Sequence, residues 1–257
     1  MSTGKSYCDE SVTLTDESCN VMILFYTDRV DSDWAFFSPE ESQHLIKVLR
    51  KKAGAKIHFV DGTGGRYVGE LFESGKKGTS VKIIDKKQEP ILQPNIHLAI
   101  APTKNITRFE WFLEKATEIG ISKITPILTH QSERRHIRVD RLEKILAAAM
   151  KQSLKSYLPV LAPLVDVKAF LDQIKATSDP TEKYIAYLQD DVKSHLKDNY
   201  ASGNDVIIMV GPEGGFTELE AQQAVACGFK TVSLGPHRLR TETAGIVATH
   251  IINLMNE

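Results

Sequence analysis

Two strand-loop-helix joints near the C-terminal end constrain this 257-residue chain more than any other feature. The first is Val210-Gly211-Pro212-Glu213-Gly214-Gly215-Phe216-Thr217. The second is Leu234-Gly235-Pro236-His237-Arg238-Leu239-Arg240-Thr241-Glu242-Thr243-Ala244. Each follows a short β-like run and leads into a helix-like run. Glycine and proline sit where a backbone must turn sharply and approach another molecule closely. Two such joints in succession imply a single ligand site built from adjacent loops of an α/β sheet.

The rest of the chain divides around Pro90 and Pro94. Residues 1–21 are polar and unpatterned and are expected to be disordered, with a first β-like run starting at Met22. Ser38-Pro39-Glu40-Glu41 opens a helix, with an N-cap serine, proline at the first helical position and acids in the first turn. That helix is expected to run through Leu49 and a basic end to a stop at Gly54. Strands are expected at 56–60, 66–72 and 79–84, giving a small β-rich module over 22–90. Beyond the prolines, 91–257 alternates. Strands are expected at 96–100, 124–128, 183–188, 206–210 and 231–234, and helices at 107–119, 140–154, 217–227 and 241–255. Such alternation predicts a mainly parallel α/β sheet with covering helices.

Charge is unevenly distributed although the net is only −1. Residues 38–157 carry 22 basic and 13 acidic side chains, whereas both flanks are acidic. A polyanion would be gripped by the middle while a small ligand occupies the loops. No apolar run reaches the length of a membrane span. Cys8, Cys19 and Cys227 have neither metal spacing nor an even count, which fits a reducing cytosol. The eight histidines show no ligand spacing, so no metal is expected.

The loops themselves exclude two common ligand classes. The first has no Lys-Ser/Thr pair, so it is not a P-loop, and it lacks the Gly-x-Gly-x-x-Gly dinucleotide spacing. Glu213 would repel a phosphate but accept hydrogen bonds from a ribose or an amine, or face a cation. A positively charged sulfonium cofactor carrying an adenosine suits such a loop better than a triphosphate does.

Gly211-Pro212-Glu213-Gly214-Gly215, together with Leu234-Gly235 and Leu239-Arg240-Thr241-Glu242-Thr243-Ala244, resembles the RsmE family of 16S rRNA uridine N3-methyltransferases in the SPOUT superfamily. His44-Leu45-Ile46-Lys47-Val48-Leu49-Arg50, the block Lys115 to Pro126, and Ser132-Glu133-Arg134 extend the likeness to roughly 22–255. One stretch departs. Where the family commonly has Glu-Gln-Ser/Cys-Gly-Arg, this chain has Lys151-Gln152-Ser153-Leu154-Lys155. The resemblance implies an N-terminal PUA-like β-barrel that holds RNA and a trefoil-knotted SPOUT α/β domain. It also implies S-adenosylmethionine as cofactor, a homodimer, cytoplasmic location, and 16S rRNA or the assembled small subunit as partner. Related enzymes act on tRNA or ribose 2′-OH, and a non-catalytic RNA-binding module is a further alternative.

Uridine N3 must lose a proton and leave its base pair before it accepts a methyl group. Arg240 is the leading catalytic candidate, as a permanent cation beside the uracil anion. Glu242 would orient Arg240 or accept the proton. The expected cofactor residues are Leu188, Val210, Gly211, Pro212, Glu213, Gly214, Gly215, Leu234, Gly235, Leu239, Arg240, Thr241, Thr243 and Ala244, with Thr241 or Thr243 also capping the last helix. The expected RNA contacts are Arg50, Lys51, Lys52, Arg134, Arg135, Arg138 and Lys155, all from the basic middle of the chain, with the densest cluster at 134–138.

Overall fold

The computed structural model describes residues 23–75, 78–91, 93–176, 181–187 and 194–257. The expectations for residues 1–21, for Met22 and for Leu188 lie outside these.

The first half builds a six-stranded sheet from β1 (Leu24–Tyr26), β2 (Val30–Asp31), β3 (Trp34–Phe37), β4 (Lys56–Val60), β5 (Gly65–Gly75) and β6 (Gly78–Gln88), in the order β1-β4-β5-β6-β3-β2. Alternation of side chains places Phe25, Phe37, Ile57, Phe59, Leu71 and Val81 inward as one core. Helix α1 (Pro39–Gln43) starts as expected, with Ser38 Oγ accepting from the Glu41 N–H at 3.3 Å. It does not run on to Gly54. A π-helical turn, His44–Val48, replaces the second half, and the chain leaves at Arg50 with φ +52. Arg50, Lys51 and Lys52 therefore sit in an exposed turn beyond the helix. The pair β2 and β3, of two and four residues, was not expected; strands this short carry too little alternation to read.

The second half alternates strand and helix. In chain order it comprises β7 (Ile96–Ile100), α2 (Ile106–Ile119), β8 (Lys123–Leu128), α3 (Val139–Gln152), β9 (Val160–Leu161), β10 (Val165–Asp166), α4 (Val167–Ala176) and β11 (Glu182–Ala186). Then follow α5 (Leu196–Asn199), β12 (Val206–Val210), α6 (Glu218–Ala226), β13 (Lys230–Val232) and α7 (Thr241–Leu254). Every pairing is parallel, in the order β10-β8-β7-β12-β11-β13 with β9 beside β8. Central strands buried on both faces read as continuous apolar runs, which explains Val206-Ile207-Ile208-Met209-Val210. One face packs against α2, α3 and α7 through Leu98, Ile100, Phe109, Phe112, Leu113 and Ile208. The other packs against α4 and α6 through Phe170, Leu171, Met209, Ala224 and Phe229. Fully burying each of these large side chains contributes about 1.5–3 kcal/mol.

Gly245 lets α7 lie close to the sheet. A Cβ there would stand 2.7 Å from Phe112 and 2.9 Å from Ile100. Overpacking of this kind costs about 1–3 kcal/mol, more than the roughly 1 kcal/mol glycine costs a helix interior. This close approach fixes the start of α7 beside the carboxyl ends of the central strands.

The two halves meet along 153–158. Tyr157 Oη donates to the Glu89 carbonyl at 2.8 Å, the Gly64 N–H to Ser156 O at 3.0 Å, and the Leu158 N–H to Gly62 O at 2.9 Å. Lys151 pairs with Glu41, Lys144 with Glu40 at 2.7 Å, and Arg66 donates to the Leu154 carbonyl. The segment that departs from the family's run is thus spent on the junction.

His97 on β7 is nearly buried, with Nε2 2.7 Å from Thr125 Oγ1 and its ring edge-on to Phe170. Burial, helped by the Lys123 cation, pushes its pKa down to about 3 from 6.5. Between these values the unfolded chain takes up a proton that the folded chain refuses, so stability falls as pH falls below 6.5. His97→Gln, which retains a hydrogen-bonding amide, should flatten the pH slope of urea-unfolding free energy between pH 6.5 and 4 by up to about one proton. An unchanged slope would mean that His97 titrates in the folded protein.

Candidate active site

Because all strands of the second sheet run the same way, the loops after β7, β8, β11, β12 and β13 gather at one edge. Ligands bind at that carboxyl edge in open α/β sheets. A cavity of about 400 Å³ opens there.

Both C-terminal joints line it, but not as neighbours. Strand β11 lies between β12 and β13, and its end brings Ala186 and Tyr187 into the wall. Of the expected cofactor residues, Val210, Gly211, Pro212, Glu213, Gly214, Gly215, Leu234, Gly235, Leu239, Thr241 and Ala244 line the cavity. Arg240 and Thr243 flank the wall without forming part of it. Phe216, Val232, His237 and Arg238 line it without having been singled out. For Phe216, His237 and Arg238 the signal was their place inside the two joints; Val232 ends β13, just before the second joint.

Backbone geometry shapes the first loop. Gly215 has φ +78, a left-handed conformation that glycine adopts without penalty, and its N–H donates to Pro212 O at 2.8 Å. A Cβ on Gly211 would meet the Gly215 backbone and the Phe216 ring at 3.1 Å. Thr217 then starts α6 with a capping box, sharing hydrogen bonds with Glu220 in both directions.

The two joints are tied directly. The buried Thr241 hydroxyl donates to the Gly211 carbonyl at 3.0 Å, and Arg238 Nη2 donates to the Glu213 carbonyl at 3.1 Å. Thr241 is therefore not a helix cap: Arg240 occupies the N-cap of α7, and no side chain caps that helix. Thr243 lies in the first turn without a capping bond. Glu213 lines the cavity, and its carboxylate accepts the Lys104 N–H at 3.0 Å through Oε1.

Arg240 and Glu242 do not pair. Arg240 is exposed, and its guanidinium makes no hydrogen bond or ion pair among the described residues. Glu242 is 6% exposed, outside the cavity wall, with Oε1 3.8 Å from Arg108 on α2 and Oε2 buried without a hydrogen bond. Among the described residues no cluster of three or more His, Cys, Asp or Glu is placed to hold a metal ion.

The candidate RNA contacts separate into two kinds. Arg50, Lys51, Lys52, Arg135 and Arg138 are exposed, the last 3.2 Å from Asp140. Arg134 is half-buried and donates to the Thr103 carbonyl from Nε at 3.0 Å and to the Lys104 carbonyl from Nη2 at 2.7 Å. Lys155 is half-buried, and burial lowers its pKa.

A parallel α/β sheet with this cavity, joined to a curled β module, defines a class. Residues 90–253 match the family profile of an RNA methyltransferase domain, and residues 37–84 that of an RNA methyltransferase PUA domain. A Ribosomal RNA small subunit methyltransferase E from Mesomycoplasma hyopneumoniae is 31% identical over 70% of this chain and 78% of its own length. A probable rRNA-methyltransferase from Porphyromonas gingivalis superposes with a TM-score of 0.82 at 37% identity, covering 91% of this chain and 98% of that one. The small subunit methyltransferase E from Neisseria gonorrhoeae, whose crystal structure has S-adenosyl methionine bound, superposes at 0.80 with 27% identity over the same shares. The chain belongs to the ribosomal RNA small subunit methyltransferase E family of RNA methyltransferases.

Gly215→Ala should lower the unfolding free energy by about 1–2 kcal/mol, the cost of a left-handed backbone in a residue with a Cβ. No atom stands within 4 Å of the added methyl, so the loss is purely conformational. Denaturant unfolding measures it; no loss would mean that the loop does not hold φ +78.

Proposed function

We propose that this protein uses S-adenosylmethionine to methylate N3 of a uridine in 16S ribosomal RNA. The cavity carries the reading. Its volume of about 400 Å³ falls in the range of small-ligand sites. Its lining is mostly glycine backbone and apolar side chains, with Glu213, His237 and Arg238 as the charged or titratable residues and no lysine. Glu213 suits the cationic sulfonium of an adenosyl ligand, and Arg238 already spends one donor on the Glu213 carbonyl.

S-adenosylmethionine, when bound, supplies the electrophilic methyl group. Val210 to Gly215, Leu234, Gly235, Leu239, Thr241 and Ala244 would hold it, with Ala186, Tyr187, Phe216, Val232, His237 and Arg238 completing the wall. Thr243 and Arg240 sit at the rim. Arg240 is the catalytic residue in this account. Its guanidinium is exposed and has no intramolecular partner among the described residues, one position from the Thr241 wall. It would stabilise the uracil anion as charge spreads from N3 onto O2 and O4. Glu242 is assigned a positioning role. Its carboxylate faces Arg108 rather than the cavity and holds the start of α7 against α2.

The RNA footprint in this account comprises Arg50, Lys51, Lys52, Arg135 and Arg138, with Lys155 at its half-buried edge. A homodimer is supported by Trp111 on α2 and Leu254 on α7, 45% and 55% exposed on two helices that pack together. The trefoil knot belongs to this proposal as part of the SPOUT-type fold. Naked 16S rRNA and the assembled subunit are both candidate substrates, and the cytoplasm is the expected compartment.

Purified protein, methyl-labelled S-adenosylmethionine and small subunits lacking the modification test the proposal. Digestion and mass mapping should yield one N3-methyluridine. Arg240→Ala should lower kcat by about 10²–10³-fold, the usual cost of removing one charge-stabilising donor, with S-adenosylmethionine affinity little changed. A ribose 2′-O-methyl product, or full activity in Arg240→Ala, would contradict the account.

A further inference from the structure

The triplet Ser132-Glu133-Arg134 lies in the loop after β8, and the Ser132 and Arg134 side chains hold backbone in place. Ser132 Oγ accepts the Thr129 N–H at 3.0 Å and closes its own loop. The same loop is anchored to α6, because Glu220 Oε1 accepts the His130 N–H at 2.7 Å. Glu133 pairs with the Lys104 ammonium at 2.7 Å. Arg134 reaches the carbonyls of Thr103 and Lys104 at 3.0 and 2.7 Å.

Glu133 and Arg134 thus both grip the Thr103–Lys104 segment. That segment presents one further group, the Lys104 N–H, to Glu213 Oε1 at 3.0 Å. Glu213 is in turn held at its backbone carbonyl by Arg238. Its second carboxylate oxygen makes no hydrogen bond among the described residues, so the fixed oxygen orients the free one. Only a planar guanidinium supplies two N–H groups at the spacing of successive carbonyls; a lysine ammonium is a point charge on a flexible stem.

We propose that Arg134 is a positioning residue for the cofactor cavity: by clamping the Thr103 and Lys104 carbonyls it aims the Lys104 N–H at Glu213 and sets that carboxylate in the wall. This overrides the expectation that Arg134 contacts RNA. Its guanidinium spends two donor groups on protein carbonyls, while Arg135 and Arg138 beside it stay exposed. The proposal rests on the reading that the cavity takes S-adenosylmethionine.

Calorimetric titration of S-adenosylmethionine into the full chain tests it, alongside the salt dependence of binding to purified small-subunit ribosomal RNA. Arg134→Gln should raise the S-adenosylmethionine Kd tenfold or more and leave the RNA salt slope unchanged. Arg134→Lys should recover part of the affinity, and it answers the question if the glutamine variant does not fold. Glu213→Gln should also weaken cofactor binding, and the double variant should be no more than about twofold weaker than the worse single one, because coupled residues are not additive. An unchanged Kd, a salt slope reduced by about one phosphate contact, or fully additive losses with Glu213→Gln would each overturn the proposal. Absence of binding by the unaltered protein would instead sink the cofactor reading itself.

Discussion

The wall of the cavity depends on one buried hydrogen bond, from the Thr241 hydroxyl to the Gly211 carbonyl. Strands β12 and β13 are not neighbours, so sheet pairing alone does not bring their loops together. The bond spans 30 positions of sequence and joins the first residue of α7 to the turn after β12. Gly245 makes it reachable by letting α7 settle against Phe112 and Ile100. A buried carbonyl that lost this donor would cost about 1–3 kcal/mol, so the tie and the close helix packing support one another.

Around that bond the site is an assembly of loops held mostly by side chain to backbone contacts. Arg238 and Lys104 fix Glu213 from two sides, and Arg134 fixes Lys104. Such contacts specify backbone position without filling the cavity, leaving its glycine surface free for a ligand. The exposed cations lie outside this framework, at the turn after α1 and at 135–138. The loop-bearing acidic end and the basic middle of the chain thus divide the labour that the uneven charge implied. The junction along 153–158 joins the β module to α3, and the departure from the family's run there has structural partners in Glu41 and Arg66.

Much of this was legible in sequence. Ile96–Ile100 and Val206–Val210 read as strands because both are short apolar runs between turn signals, and α2 and α7 carry apolar stripes at helical spacing. Helix α4 is equally readable, with Val167, Phe170, Leu171 and Ile174 at helical spacing after Asp166. Strand order was not readable, because periodicity gives element type and not pairing partner. For that reason the two joints were expected side by side, whereas β11 separates them. The pairing of Glu242 with Arg108 and the hold of Arg134 on Thr103 join positions 134 and 31 residues apart, distances at which sequence spacing carries no information. Thr241 or Thr243 was expected to cap the last helix because capping is local; for Thr241 a buried carbonyl across the cavity was the stronger claim on its hydroxyl.

The central claim is that the two joints form one cofactor site because Thr241 ties them. Calorimetry of S-adenosylmethionine binding to Thr241→Val tests it most directly, since valine keeps the shape and removes only the hydroxyl. The account predicts a Kd about tenfold weaker, corresponding to about 1.4 kcal/mol, in a protein that remains folded. An unchanged Kd would show that the loops hold their places without the tie, and would contradict it.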